Sequence, residues 1–226
     1  MTEGRVFDAT LSDQTDADQD GWGDACVEPG AYVHPSASLG RNARVLGSSV
    51  VMDNAVIGDA STVIDAIVGR RSEIGPNATL STSVILRNSR VGADATLSDA
   101  VLSAFTVVGE GASLTDTVAI GRVNIGRDAE LTGALLGWGT VVGAEARVAG
   151  IASPRSIIGF RSIVAERAIM RSGATLASGA TLHEGARLGR DAFVANDVSV
   201  GTDARVRAGN VVTADVPVQA WLPRVA

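Results

Sequence analysis

The 226-residue chain contains no lysine; all nineteen basic residues are arginine, so chemistry that depends on a lysine amine is excluded. Only two histidines are present, His34 and His183, too few for a zinc centre held by three imidazoles. Aromatic residues make up 4% against 46% hydrophobic residues, so any core is built from Val, Ile, Leu and Ala rather than from rings. No run of eighteen apolar residues occurs, which excludes a membrane-spanning helix. Charge is unevenly placed. Residues 1–30 hold eight acids and one arginine, while the other 196 residues carry 18 arginines against 17 acids. Neither a basic patch for nucleic acid nor a polybasic segment for membranes is visible.

What is present is a cadence. From Val33 to Val212 a large aliphatic residue recurs every six or five residues, and between Val68 and Val148 the steps run six, six, five, giving a seventeen-residue unit. A helix of 3.6 residues per turn cannot hold that spacing on one face, whereas a three-sided coil with one short strand per side does. Of 31 such anchors, 28 have Ala, Ser or Thr two positions earlier; the exceptions at that place are Val123, Val198 and Asn210. Residues two apart in a strand point the same way, so the large and the small residue both face a narrow triangular core. Gly follows many anchors, as at Gly40, Gly58, Gly75, Gly92 and Gly109, and is expected to relieve the backbone where the chain turns.

This spacing resembles the hexapeptide-repeat, left-handed parallel β-helix family over about 180 of the 226 residues. The resemblance, not the spacing, implies left-handedness, because parallel crossovers are otherwise right-handed. The fold expected is all-β: a triangular β-solenoid of about ten coils, roughly 50 Å long. Residues 1–30 are expected to form an acidic leader, 31–216 the β-helix and 217–226 a C-terminal tail or cap.

In the leader, Asp16, Asp18 and Asp20 alternate ahead of Gly21, Trp22, Gly23 and Asp24. Alternate carboxylates in an extended loop, with glycine allowing the reversal, suit a hard cation such as calcium. The run DADQDGWGDAC resembles a thrombospondin type 3 repeat, which implies calcium held by Asp16, Asp18, Asp20, the Trp22 carbonyl and Asp24. Val27 stands where a helix-loop-helix calcium hand has its last acid, so that motif is excluded. Cys26 stands alone, leaving open a free thiol, a link between two chains or the remnant of a longer array. Met1 to Leu11 lacks the apolar stretch of a signal peptide, although calcium modules of this type imply an extracellular or cell-surface setting.

Many hexapeptide proteins are trimeric acyltransferases that take acyl-CoA in a groove between prisms and use a histidine as general base. His34, in AYVHPSASLG, and His183, in TLHEGARLG, are the two candidates, each also readable as an ordinary surface residue. The phrase AGNVVTADVP resembles the close of such enzymes, yet the only interruption of the cadence, Ala149 to Arg155, is shorter than their covering loop. Coils such as SEIGPNATLSTSVI resemble the C-terminal solenoid of sugar nucleotidyltransferases, whose nucleotide-binding domain is not expected within the thirty or so residues before Val33. Thr79 and Ser81, Thr96 and Ser98, Ser113 and Thr115 form a short outward hydroxyl ladder, the pattern of some ice-binding solenoids. Phe105, Trp138 and Phe160 read as exposed or corner rings. The expectation is a non-enzymatic, extracellular or cell-surface solenoid that binds calcium and associates with copies of itself as a trimer or end to end. A trimeric acyltransferase using acyl-CoA is the alternative, and an ice-binding solenoid the minor one.

Overall fold

The computed structural model describes residues 5–6 and 24–222. They contain thirty-five strands of two or three residues and no helix. Apart from Arg5–Val6 and the last strand, Trp221–Leu222, every strand pairs in parallel with the strand three places before or after it, which is the signature of a coil with three sides. The strands lie in three sheets of 13, 11 and 11 strands, so the chain winds a parallel β-solenoid of about eleven turns.

Register follows the sequence repeat. Ile74, Val91, Val108, Ile125 and Val142 stack as direct partners, and Leu80, Leu97, Leu114 and Leu131 do so on a second face. The anchors are buried to 3% exposure or less in both columns, since each coil covers the apolar side chains of the last. The three exceptions at the small position, Val123, Val198 and Asn210, are buried as well. Val123 lies in the coil where Ala119 replaces a large anchor, so volume lost at one position is returned four residues on.

Ten of the small inward residues are Ser or Thr, and burying their hydroxyls costs nothing unmatched because backbone carbonyls at the corners accept them. Ser49 Oγ donates to Leu46 O at 2.6 Å, Ser61 Oγ to Gly58 O at 2.6 Å and Thr106 Oγ1 to Ser103 O at 2.8 Å. Among the described residues, no buried side-chain polar atom lacks a partner.

The glycines after the anchors do something other than the relief expected of them. None of Gly40, Gly58, Gly75, Gly92 or Gly109 has positive φ; the left-handed residue lies two places later, as in Asn42 (φ 56), Asn77 (φ 57) and Asp94 (φ 56). What these glycines permit is close stacking. A Cβ on Gly92 would stand 2.5 Å from Glu110 N and 2.6 Å from Gly109 C in the next coil. The turns are also bonded to one another, with Asn77 N–H donating to Asp59 O at 2.9 Å and Asp94 N–H to Pro76 O at 3.0 Å.

Besides the antiparallel Arg5–Val6, three strands lie outside the expected count of sides. Cys26–Val27 pairs with Arg44–Val45, and Trp221–Leu222 pairs with Arg205–Val206, so parallel winding extends beyond residues 31–216 at both ends. Ile151–Ala152 pairs with Leu135–Leu136 and Ile169–Met170, so the apparent break from Ala149 to Arg155 is an ordinary side. The anchor there is Ala152, too small to be seen in the cadence, and the adjoining inward residue is Gly150.

Candidate functional site

The two histidines sit at different corners and in different hydrogen-bond settings. His34 follows the strand Tyr32–Val33 and is half-buried; its Nδ1 accepts from the Ser36 backbone N–H at 3.2 Å and lies 2.9 Å from Ser36 Oγ. Ser36 Oγ in turn accepts from Asn54 N–H at 3.0 Å. With Nδ1 occupied as an acceptor, a neutral His34 carries its proton on Nε2 and presents only a donor to solvent. The ring is held within its own turn by Ser36.

His183 follows Thr181–Leu182 on another corner and is exposed. Its Nε2 lies 2.8 Å from Ser199 Oγ on the next coil, and Ser199 N–H donates to Asp215 Oδ1 at 2.8 Å. When Nε2 donates to Ser199, Nδ1 keeps its lone pair and has no partner among the described residues, the condition a general base requires. The neighbouring Glu184 turns away from the imidazole and pairs with Arg167 on the preceding coil. The column His183, Ser199, Asp215 is thus set by coil stacking, with successive members sixteen residues apart.

Of the residues expected to bind calcium, Asp16, Asp18, Asp20 and Trp22 lie outside the described residues. Asp24 is exposed just before the first coil strand, and no group of three ligating side chains occurs among the described residues. Cys26 is an exposed free thiol on that strand. The hydroxyl ladder has the expected register, Thr79 with Thr96 with Ser113 and Ser81 with Ser98 with Thr115. Its first column passes into Glu130 and Arg147, an ion pair at 3.0 Å, beside a shallow recess of about 500 Å³ that also includes Glu145, Arg161 and Ile163. Phe105, Trp138 and Phe160 are 46%, 47% and 40% exposed, and the Arg122 and Arg161 guanidiniums lie over the two phenyl rings at 5.6 and 4.7 Å.

One surface went unnoticed in the cadence. On the face begun by Tyr32–Val33, the outward residues in register are Tyr32, Val50, Ile67, Val84, Val101, Val118, Leu135, Ile151 and Ile169. Nine successive rungs are thus apolar or aromatic, and Ile67, Val101, Leu135 and Ile151 are each 38–40% exposed. The signal was the residue just before every third anchor, hidden because one of the other faces alternates polar residues with Val56, Val107, Val141, Ile157, Phe193 and Val211 at that place, while the third carries mostly Thr, Ser, Glu and Arg.

Residues 29–112 match the family model described as GlmU-like, C-terminal hexapeptide. No curated protein matches the chain. Among solved structures, a UDP-N-acetylglucosamine acyltransferase from Arabidopsis aligns with 17% identity and a TM-score of 0.38, covering 85% of this chain and 69% of its own. LpxA from Acinetobacter baumannii aligns with 12% identity and a TM-score of 0.35 over 86% and 67% of the two chains. A variant GDP-perosamine N-acetyl transferase from Caulobacter crescentus, in complex with CoA and GDP-perosamine, aligns with 16% identity and a TM-score of 0.31 over 71% and 80%. The expectation of a non-enzymatic extracellular or cell-surface solenoid is corrected by these findings. The finding that overturns it is the match of residues 29–112 to the GlmU-like, C-terminal hexapeptide family model. The shortness of the break at Ala149 to Arg155 had argued against an enzyme, and that break proves to be a coil side.

Proposed function

We propose that the chain is a hexapeptide-repeat acyltransferase that takes its acyl group from acyl-CoA and uses His183 as general base. The observation that carries the assignment of the base is the 2.8 Å contact of His183 Nε2 with Ser199 Oγ; in the tautomer in which Nε2 donates to the hydroxyl, Nδ1 is free to accept a proton. The hexapeptide family match over residues 29–112 supports the reaction class. Acyl-CoA supplies a thioester carbonyl. His183 removes the proton from an attacking hydroxyl or amine as the new bond forms, and Ser199 orients the ring so that the same nitrogen faces solvent throughout. Glu184, paired with Arg167, takes no part in the proton transfer.

The aliphatic face supports a homo-oligomer. Nine rungs span roughly 38 Å, and with a width on the order of 15–20 Å each copy offers about 600–800 Å², one partner's share of a standard interface. A second copy of the same face is the occupant proposed, since it brings no charge against the stripe.

Thiol release from acetyl-CoA, measured with a panel of amino and hydroxy sugars as acceptors, tests the reaction. His183→Ala is expected to lower turnover at least ~100-fold with an unchanged melt, while His34→Gln stays within about threefold of the parent. Equal loss in both variants, or no release with any acceptor, would overturn the assignment.

We propose further that the leader binds calcium through Asp16, Asp18, Asp20, the Trp22 carbonyl and Asp24, a reading supported by the alternation of carboxylates ahead of Gly21 and Gly23. Calorimetric titration is expected to show one calcium per chain, with the heat abolished in Asp18→Ala. An unchanged titration in that variant contradicts the site.

A further inference from the structure

At its C-terminal end the aliphatic face changes character. The two rungs after Ile169 are Arg187 and Arg205, stacked in register, and the next is Trp221. The adjoining corner adds Arg171, Arg190 and Arg207 over the same coils. These five arginines are all exposed, and none forms an ion pair among the described residues, whereas Arg41, Arg70, Arg90, Arg147, Arg161 and Arg167 all do. One acid, Asp191, shares that corner, and its carboxylate is turned along the axis against Gly173 of the preceding coil.

The cluster surrounds a ring. The Arg207 guanidinium lies 4.1 Å from the Trp221 ring centroid, yet the Trp221 residue remains 61% exposed. Arg205 and Trp221 line an open recess of about 520 Å³ with Asp203, Gln219 and Ala220. Five arginines held together with only Asp191 and Asp203 nearby, neither in an ion pair with them, repel one another, and the arrangement is relieved by an anion that several guanidiniums can grip in forked fashion. An exposed indole beside them offers a stacking surface for a planar base.

We propose that this end of the face is a binding site for a nucleoside polyphosphate, its phosphates held by Arg187, Arg205 and Arg207 and its base stacked on Trp221. Two sources share that chemistry: the 3′-phosphoadenosine diphosphate end of an acyl-CoA donor, or a nucleoside diphosphate carried by the acceptor. The first rests on the acyltransferase reading; the site itself does not.

Calorimetry on the full chain with adenosine 3′,5′-bisphosphate, UDP and inorganic pyrophosphate as probes tests the proposal, with light scattering on the same samples. At least one nucleotide is expected to bind with Kd below ~1 mM, more tightly than pyrophosphate, and to weaken as salt is raised. Arg205→Ala and Arg207→Ala should each weaken it fivefold or more, Trp221→Ala about tenfold, and Trp221→Phe little, because a ring still stacks. The last variant separates lost stacking from a damaged terminal coil. Tighter binding of the adenosine compound identifies the donor end, and tighter binding of UDP the acceptor. Failure of all three probes, affinity unmoved by Arg205→Ala and Trp221→Ala, or arginine variants that change only the mass of the assembly would each overturn the site. Nucleotide binding without acyl transfer leaves the site standing and sinks the enzymatic reading, whereas acyl transfer that ignores these substitutions does the reverse.

Discussion

At single residues, the fold depends less on which side chains are large than on where none is tolerated. Two kinds of glycine occur on the corners and they respond to opposite pressures. Gly92 has an ordinary backbone conformation, but its absent Cβ makes room for the peptide of the next coil. Gly133 has φ +61 and open space around it, so only its conformation favours glycine. Gly92→Ala is therefore expected to force two coils apart and lower the melting temperature by roughly 5–10 °C, a cost of overpacking on the order of 2–3 kcal/mol. Gly133→Ala should cost about 1 kcal/mol, since a left-handed alanine is strained but meets nothing. Thermal denaturation followed by circular dichroism compares them; equal losses would show that conformation alone sets the demand for glycine.

The individual strands explain why so much of this molecule was legible in its sequence and why certain parts were not. Each side contributes only two or three paired residues, too few to be stable alone, and gains its stability by covering the side before it. Selection therefore acts on the same inward positions in every coil, which makes the period visible wherever the anchor is large. Leu80, Leu97 and Leu114 announce their sides. Ala152 does not, because Leu136 and Met170 on the flanking coils fill the space a larger anchor would have taken. Cys26–Val27 and Trp221–Leu222 escaped for another reason: each stands at an end, where a side has one neighbour and the pattern is less constrained. The site was less legible than the fold. His183 was visible as an outward residue, but its contact to Ser199 crosses from one coil to the next and depends on register that local sequence does not state. The arginine cluster was hidden similarly, since residues 171, 187, 190, 205 and 207 become neighbours only through stacking at eighteen-residue intervals.

For the whole molecule, the three faces have unequal tasks. The face carrying Thr79, Thr96 and Ser113 is polar and passes into ion pairs, as expected of a surface that meets water. The face from Tyr32 to Ile169 presents aliphatic side chains along nearly the full prism, and its N-terminal edge is covered by Arg5–Val6 pairing antiparallel to Tyr32–Val33. Copies of the chain could associate side by side through this face or end to end into filaments. A charge placed in the middle of the stripe distinguishes these arrangements because outward positions add nothing to the core. Val101→Arg combined with Leu135→Arg is expected to leave the circular dichroism spectrum and the melt of the isolated chain essentially intact, while light scattering falls from the mass of the assembly to that of one 23.0 kDa chain. If acyl transfer requires residues from two copies, it should fall with the mass; an oligomer that survives both substitutions would place the interface on another face.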